Sequence, residues 1–169
     1  MKLTKKEIQE NKESNSPMPI LLAETKDGQL IQMPIPFEST EEKIPMMFIA
    51  GKIIAKQFKE YKAFHFIFDT WYVTAKTKEI DCPPSQHPDR MEAIVYDYYL
   101  LKETQREMTI YPYDSSKGKI KWKKEIKKKP TKIDSPLIDS FMKGYSQQQF
   151  ANQVDDATSS TEKLFDISQ

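Results

Sequence analysis

Two long runs of apolar and aromatic residues stand out in the hydrophobic pattern: AFHFIFDTWYVT from Ala63 and MEAIVYDYYLL from Met91. Side chains two residues apart share one face of a strand, so three phenylalanines of the first run share a face. The opposite face is also largely apolar, and each run carries one inner carboxylate, Asp69 in the first and Asp97 in the second. Strands that are apolar on both faces lie inside a sheet, so the pattern predicts two neighbouring central strands.

The segment PILLAETKDGQLIQMPIPF predicts a β-hairpin before this pair. Its apolar runs flank Asp27-Gly28, where glycine supplies the positive φ angle that a tight turn needs. Pro34 and Pro36 have no amide hydrogen to donate, which predicts an edge position for the second hairpin strand.

A long helix is predicted between the hairpin and the central strands. Its regular part begins near Ile44, because Pro45 interrupts any helix that starts much earlier. From there the positions at helical spacing on one side are apolar: Met47, Ala50, Ile54, Phe58 and Tyr61. This stripe predicts the main helix that covers the sheet.

After the central pair, EMTIYPY and KIKWKKEIK predict two further strands joined by a turn at DSSKGK. In the second strand Ile120, Trp122 and Ile126 alternate with polar residues, so one face packs and the other is solvated. Beyond it, SPLIDSFMKGY predicts a short helix that ends at Gly144. The polar remainder predicts a disordered or docking tail.

These elements predict an α+β fold with a single, mostly antiparallel sheet of about five to six strands, covered by one long helix and flanked by flexible N- and C-terminal tails. The predicted organisation is a mobile N-terminal segment at 1–16, an α+β domain at 17–132, and a short helix with a disordered C-terminal tail at 133–169. The N-terminal segment can form a frayed amphipathic helix whose only anchors are Leu3 and Ile8. A chain of 169 residues has enough apolar residues for one such core.

Composition narrows the setting in which this domain acts. The net charge of +1 gives no global attraction to nucleic acid or to an anionic membrane, so any such binding has to be local. The single cysteine, Cys82, excludes an intrachain disulfide and suits a reducing compartment. No run approaches the roughly 18 apolar residues of a membrane span, and the first residues lack the apolar core of a signal peptide. We therefore predict a cytoplasmic location and no membrane partner.

The loop KEIDCPPSQHPDRME between the central strands gathers the unusual polar residues, and its prolines hold side chains in fixed directions. Asp81, Cys82, His87 and Asp89 are permissible zinc ligands, but their spacing matches no zinc pattern, so neither a metal nor a cofactor is predicted. A Cys82 nucleophile activated by His87 lacks a glycine-rich oxyanion nest. The structural alternative is that Arg90 pairs with Glu92 or Asp89 and pins the loop, that His87 caps a turn, and that Cys82 is small and semi-buried.

A catalytic alternative depends on the two carboxylates of the central strands. In one antiparallel register, taken as a hypothesis, Asp69 lies opposite Asp97. Two facing carboxylates repel each other, and the usual remedies are a shared proton, a cation or a slipped register. Together with His87 and Asp89 from the loop, this register predicts a metal-dependent hydrolase.

Lysines dominate the segment from Lys117 to Lys132, where nine of them accompany one acid, Glu125. Cations beside aromatic residues, here Trp122 and Tyr113, are typical of single-stranded nucleic-acid sites. The nucleic-acid candidates are Lys121, Lys123, Lys124, Lys127, Lys128 and Lys129. The alternative is that lysines on an outer strand prevent edge-to-edge pairing, and arginine, the better fork for phosphate, is absent from the segment.

An acid two residues before a tryptophan, Asp69 and Trp71, is followed by Pro84-Ser85, by Pro88-Asp89-Arg90 and by Glu92 at the start of the next strand. This pattern resembles one in uncharacterised small α+β proteins of prokaryotic and phage genomes. The resemblance implies no activity. It implies a prokaryotic or phage source and a common role for Arg90 and Glu92, so Arg90, Glu92 and Trp71 are the binding candidates.

Several catalytic classes are excluded, because the chain has no phosphate-cradling glycine-rich loop, no Gly-x-Ser-x-Gly elbow, no His-Glu-x-x-His and no dinucleotide fingerprint. The first hypothesis is a non-enzymatic protein-interaction domain of unknown biological role, which binds a protein partner through its tails, the 82–92 loop or both. The alternatives are a metal-dependent hydrolase and a nucleic-acid-binding module that uses the lysine-rich strand.

Overall fold

The structure, a computed structural model, describes residues 3–13, 19–35, 41–57, 60–73, 82, 85–102, 105–128 and 135–166. The elements are α1 (Lys5–Glu13), β1 (Ile20–Thr25), β2 (Leu30–Pro34), α2 (Lys43–Gln57), β3 (Tyr61–Tyr72), β4 (Met91–Leu100), β5 (Gln105–Asp114), β6 (Lys121–Trp122), β7 (Ile126–Lys128) and α3 (Pro136–Asp166). They form two compact units: Met1–Pro34 with Tyr61–Lys132, and Ile35–Glu60 with Ile133–Gln169.

The first unit contains one seven-stranded sheet in the order β2-β1-β3-β4-β5-β6, with β7 also paired to β5. Every pairing in it is antiparallel. The predicted α+β class is confirmed, as are the central positions of β3 and β4 and the edge position of β2. The hairpin turn contains Gly28 with a φ of 88°, the conformation for which glycine was expected there.

Both faces of β3 are buried in the middle of the strand and open toward its end. Phe64 and Phe66 are buried on one face, and His65 and Ile67 are buried on the other. Trp71, which shares a face with Ile67, is 41% exposed. The sheet therefore has a closed centre and an accessible rim where β3 ends and β4 begins.

Helix α1 belongs to the same unit and covers the face that carries Ile67. Its start is fixed by a capping box, in which the Thr4 N–H donates to Glu7 at 2.6 Å and the Glu7 N–H donates to the Thr4 hydroxyl at 3.3 Å. Ile8 is fully buried in the core cluster that includes Ile67 and Ile94. The segment predicted to be mobile thus supplies a core residue through a short capped helix.

The lysine-rich segment forms two very short strands where one longer strand was predicted. β6 has two residues and β7 has three, and both pair with β5. Between them the Lys123 N–H donates to the Pro112 carbonyl at 2.8 Å. This outer edge of the sheet is therefore interrupted.

The second unit pairs α2 with α3. The predicted start of α2 near Ile44 and the burial of Met47, Ala50 and Ile54 are confirmed. The prediction that Tyr61 belongs to the same helix is wrong, because Tyr61 opens β3 and its side chain is buried there. Phe58, the other residue of the predicted stripe, lies outside the described residues.

The two helices run in the same direction and touch through glycines. Ser140 donates to the Ile44 carbonyl at 2.8 Å, and Asn152 donates to the Ala55 carbonyl at 3.0 Å, so residue numbers rise together along both helices. A Cβ atom added at Gly144 would lie 2.0 Å from the Phe48 carbonyl oxygen. The backbones therefore approach more closely than any larger residue would permit.

Gly144 was expected to end a short helix, and that prediction is wrong. Helix α3 continues through it to Asp166, across the segment for which a disordered tail was predicted. The physical reason is that Gly144 provides room for a neighbouring backbone rather than a C-terminal cap. None of the described helices has the combined length and apolar character that a membrane crossing requires.

Gly144→Ala tests this contact, because the sign of the change in the free energy of unfolding depends on whether the two helices touch here. In an isolated helix the change should stabilise by about 1 kcal/mol through helix propensity. Here the added methyl group has to push the helices apart, so we expect the free energy of unfolding to fall by about 1–3 kcal/mol in urea denaturation. Ser146→Ala, at an exposed position of the same helix, is the control and should be neutral or slightly stabilising. A Gly144→Ala protein at least as stable as the parent would contradict the close contact.

Candidate functional site

The accessible rim of the sheet brings together the three residues predicted to bind. Trp71 on β3 lies opposite Glu92 on β4. The guanidinium carbon of Arg90 lies 5.0 Å from the centre of the Trp71 ring, within the range of a cation–π contact. These three residues are called the Trp71 surface below.

A tight turn places Arg90 over the indole. The Arg90 N–H donates to the His87 carbonyl at 3.2 Å, which closes a turn around Pro88 and Asp89. The Asp89 N–H donates to His87 Nδ1 at 3.1 Å, and the His87 side chain is buried. His87 therefore caps the turn, as in the structural alternative. Arg90 contacts the Trp71 ring, and among the described residues it forms no ion pair with a carboxylate.

Polar contacts hold the neighbouring side chains on the same face. Asp69 accepts a hydrogen bond from the Tyr113 hydroxyl at 2.7 Å and pairs with Lys12 of α1. The Lys12 ammonium lies 5.0 Å from the centre of the Tyr113 ring. Glu92 lies opposite Tyr113 on the next strand and accepts a hydrogen bond from Ser115. The surroundings of the Trp71 surface are therefore fixed before any ligand arrives.

The protonation of Tyr113 is set by its position. Burial raises the pKa of its hydroxyl well above the usual value, and the hydrogen bond to Asp69 raises it further. The hydroxyl consequently remains a donor to Asp69 at any physiological pH.

The catalytic candidates are not assembled. Asp69 pairs with Ile94, and Asp97 pairs with Phe66, so the register in which the two aspartates face each other is wrong. The observed register differs from the hypothetical one by an odd number of residues. Because side chains alternate between faces, this places Asp69 and Asp97 on opposite faces of the sheet.

Asp97 is instead one half of a buried ion pair. Arg106 donates to it from Nε at 2.9 Å and from a terminal nitrogen at 2.7 Å, which is a bidentate geometry. Burial raises the pKa of Asp97, and the hydrogen bonds and charge of Arg106 oppose that rise. The remaining candidates, His87 and Asp89, are part of the turn described above.

The candidate metal ligands do not converge either. The described residues contain no group of three or more histidine, cysteine, aspartate or glutamate side chains placed to hold a metal ion. Cys82 is half-buried. Asp81 lies outside the described residues.

Five of the six lysines proposed for nucleic-acid binding, Lys121, Lys123, Lys124, Lys127 and Lys128, are exposed along β6, β7 and the link between them, and are called the lysine edge below. Lys129 lies outside the described residues. Trp122, the aromatic residue of this segment, is engaged in other contacts. The Trp122 indole N–H donates to Glu13 at 2.8 Å, and its ring packs 5.4 Å from the ring of Tyr113.

A buried polar cluster in the core was not foreseen from the sequence. The Leu3 N–H donates to the Tyr96 hydroxyl at 3.1 Å, and this hydroxyl lies 2.8 Å from His65 Nδ1. On the other side of the ring, His65 Nε2 lies 3.5 Å from a Glu24 oxygen, and Lys62 donates to the second Glu24 oxygen at 2.8 Å. The sequence signal for this cluster was Glu24 at the end of an apolar strand, together with a neighbouring strand that carries His65.

Burial determines the charge state of this cluster. It lowers the pKa of His65 to about 4, although the nearby Glu24 carboxylate acts in the opposite direction. Burial also raises the pKa of Glu24, but the hydrogen bond from Lys62 helps to hold it below its usual value. At neutral pH the cluster therefore consists of a neutral imidazole beside an ionised carboxylate, with the Tyr96 hydroxyl within hydrogen-bond distance of Nδ1 of the ring.

Comparisons of this chain with protein-family models, with curated proteins and with solved structures give no match.

The pKa of His65 predicts a specific loss of stability in acid. In the unfolded chain histidine takes up a proton near pH 6.5, whereas in the folded chain His65 does so only near pH 4. The unfolded state therefore binds more protons between these values, and the free energy of unfolding should fall by about 2–3 kcal/mol from pH 6.5 to pH 4.5. Denaturation in urea across this range measures the change.

His65→Gln should flatten the pH dependence between pH 6.5 and pH 4.5. Glu24 has a lowered pKa, so its contribution is present above about pH 4.5 and is lost only below it, in the parent and in the variant alike. The stability curves of the two proteins should therefore converge in acid. Parallel curves across the whole range would contradict a neutral buried His65.

Proposed function

We propose that the chain is a non-enzymatic protein-interaction domain that binds a partner protein through the Trp71 surface. The observation that carries the proposal is the exposed indole of Trp71, 41% accessible, with the Arg90 guanidinium held against its ring. Tryptophan and arginine are the residues most enriched among the side chains that dominate protein–protein binding energy.

The position of Trp71 supports this role. On the same face, Ile67 and Ile94 are fully buried, so the core does not need the indole for its own packing. An indole offers a large rigid contact area at low cost in conformational entropy. Arg90 covers part of the ring and leaves the remainder for a partner.

Preorganisation supports it as well. The turn capped by His87 positions Arg90, and Ser115 holds Glu92 by a hydrogen bond. Few side chains would have to be ordered on binding, which lowers the entropic cost of forming the interface. The chemistry fits a partner that offers an apolar group to Trp71 and a carboxylate to Arg90.

The hydrolase alternative has no comparable support. It needs Asp69, Asp97 and His87 around one cleft, but the two aspartates lie on opposite faces of the sheet and His87 caps a turn.

The proposal includes a cytoplasmic location, which the single cysteine of the chain supports because reducing compartments favour free thiols.

The test is a quantitative pull-down with the full chain from a lysate of its source cell, followed by binding measurements with the purified partner. Trp71→Ala and Arg90→Ala should each weaken binding of that partner by about 30-fold, the loss expected for a residue at the centre of an interface. The readout is the dissociation constant from titration calorimetry.

Phe150→Ala is the matched control, because Phe150 is a 69% exposed aromatic residue on α3, outside the Trp71 surface. It should leave the dissociation constant unchanged. The proposal fails if the partner binds the Trp71→Ala protein as tightly as the parent, or if all three variants weaken binding equally. Circular dichroism of each variant separates lost binding from lost folding.

A further inference from the structure

We propose that the lysine edge binds the phosphate backbone of double-stranded nucleic acid without sequence preference. This function goes beyond the proposed protein-interaction role and uses a different set of residues. Two observations support it: the concentration of positive charge along the edge, and the contacts that already engage Trp122.

Positive charge is concentrated on this edge, although the whole chain carries a net charge of only +1. In the described segment 115–128, seven lysines accompany one acid, Glu125, and all seven are exposed. Glu125 pairs with Lys127 at 3.3 Å and with Lys5 of α1 at 3.9 Å. Lys121, Lys124 and Lys128 form no ion pair with any other described residue, so their charge is available to an anion.

The lysines project on both sides of the edge and form a ridge. In the strand register, Lys121 lies opposite Asp114 and Lys128 lies opposite Met108. This register places both lysines on one face of the sheet. Lys127 lies opposite Thr109 in the same register, and its side chain is therefore on the other face of the sheet. From Lys121 to Lys128 the ridge is at most about 23 Å long, at about 3.3 Å per residue. That length faces about seven phosphates of one DNA strand, at about 3.4 Å per phosphate along the axis.

The ridge fits a duplex better than a single strand. Single-strand sites stack bases on exposed aromatic rings. Trp122, the aromatic residue of the edge, instead packs on Tyr113 and donates to Glu13. Lysine is a point charge that contacts phosphate and lacks the guanidinium fork that reads guanine, which is why no sequence preference is expected.

An added strand from an acidic polypeptide is not favoured at this edge. β6 and β7 contain only two and three residues, and the link between them interrupts the line of backbone donors and acceptors. Short, broken, lysine-bearing edges are how proteins avoid strand addition. If the lysines served only this protective purpose, the edge would have no affinity for phosphate, and the experiment below distinguishes the two roles.

The experiment measures fluorescence anisotropy of two labelled 20-base-pair DNA duplexes of unrelated sequence, titrated with the full chain at several salt concentrations. Both duplexes should bind with the same affinity. The combined variant K121Q/K124Q/K128Q should weaken binding at low salt by at least about tenfold. It should also reduce the slope of log affinity against log salt by about 2.7, which is 0.9 for each phosphate contact removed.

The control K26Q/K56Q/K143Q removes the same charge from exposed lysines outside the edge, and it should change the affinity by less than about threefold. The proposal is overturned if both triple variants lose affinity equally, if the parent does not bind at low salt, or if a single strand of the same length binds more tightly than the duplex. Competition by polyglutamate as strong as that by unlabelled duplex would reassign the edge to an acidic protein.

Discussion

The pairing register of β3 and β4 is the constraint on which the rest of the sheet depends. It places Trp71 opposite Glu92 and Phe66 opposite Asp97. Side chains alternate along a strand, so a slip of one residue would move every side chain of one strand to the other face. The same pairing therefore exposes Trp71 at the rim, buries His65 in the centre and separates the two aspartates that a hydrolase would have needed together.

Asp97 and His65, which this register buries, each have polar partners close by. Asp97 is held by the bidentate Arg106, and the His65 ring lies between Tyr96 and Glu24. Removing one partner from such a pair leaves an uncompensated buried group, which costs more than the pair contributes. The sheet is therefore specified by polar contacts as well as by its aromatic core, and its two faces are not interchangeable.

The chain pattern predicts the elements well and their relations poorly. The alternation around Phe64 and the Asp27-Gly28 turn led to the correct strands, because both are local signals. The register could not be predicted, since the connection from Tyr72 to Met91 is too long for its length to fix the alignment of β3 with β4. Gly144 was misread for a related reason: a glycine that ends a helix and a glycine that admits a neighbouring backbone look alike until the neighbour is known. Trp71, Arg90 and Glu92 lie close together in the structure because they belong to two adjoining segments.

The glycine contact between α2 and α3 has a consequence for the order of events during synthesis. Gly51 of α2 also allows a close approach, since an added Cβ atom would lie 2.1 Å from the Phe141 carbonyl oxygen of α3. Gly51 and Gly144 are 93 residues apart in the sequence, and all the strands from β3 to β7 are encoded between them. At about 5–20 residues per second, a ribosome needs about 5–20 s to pass from one glycine to the other. Helix α2 emerges first and waits through this interval with Met47 and Ile54 uncovered. Nascent α2 therefore presents an apolar stripe to chaperones throughout this interval.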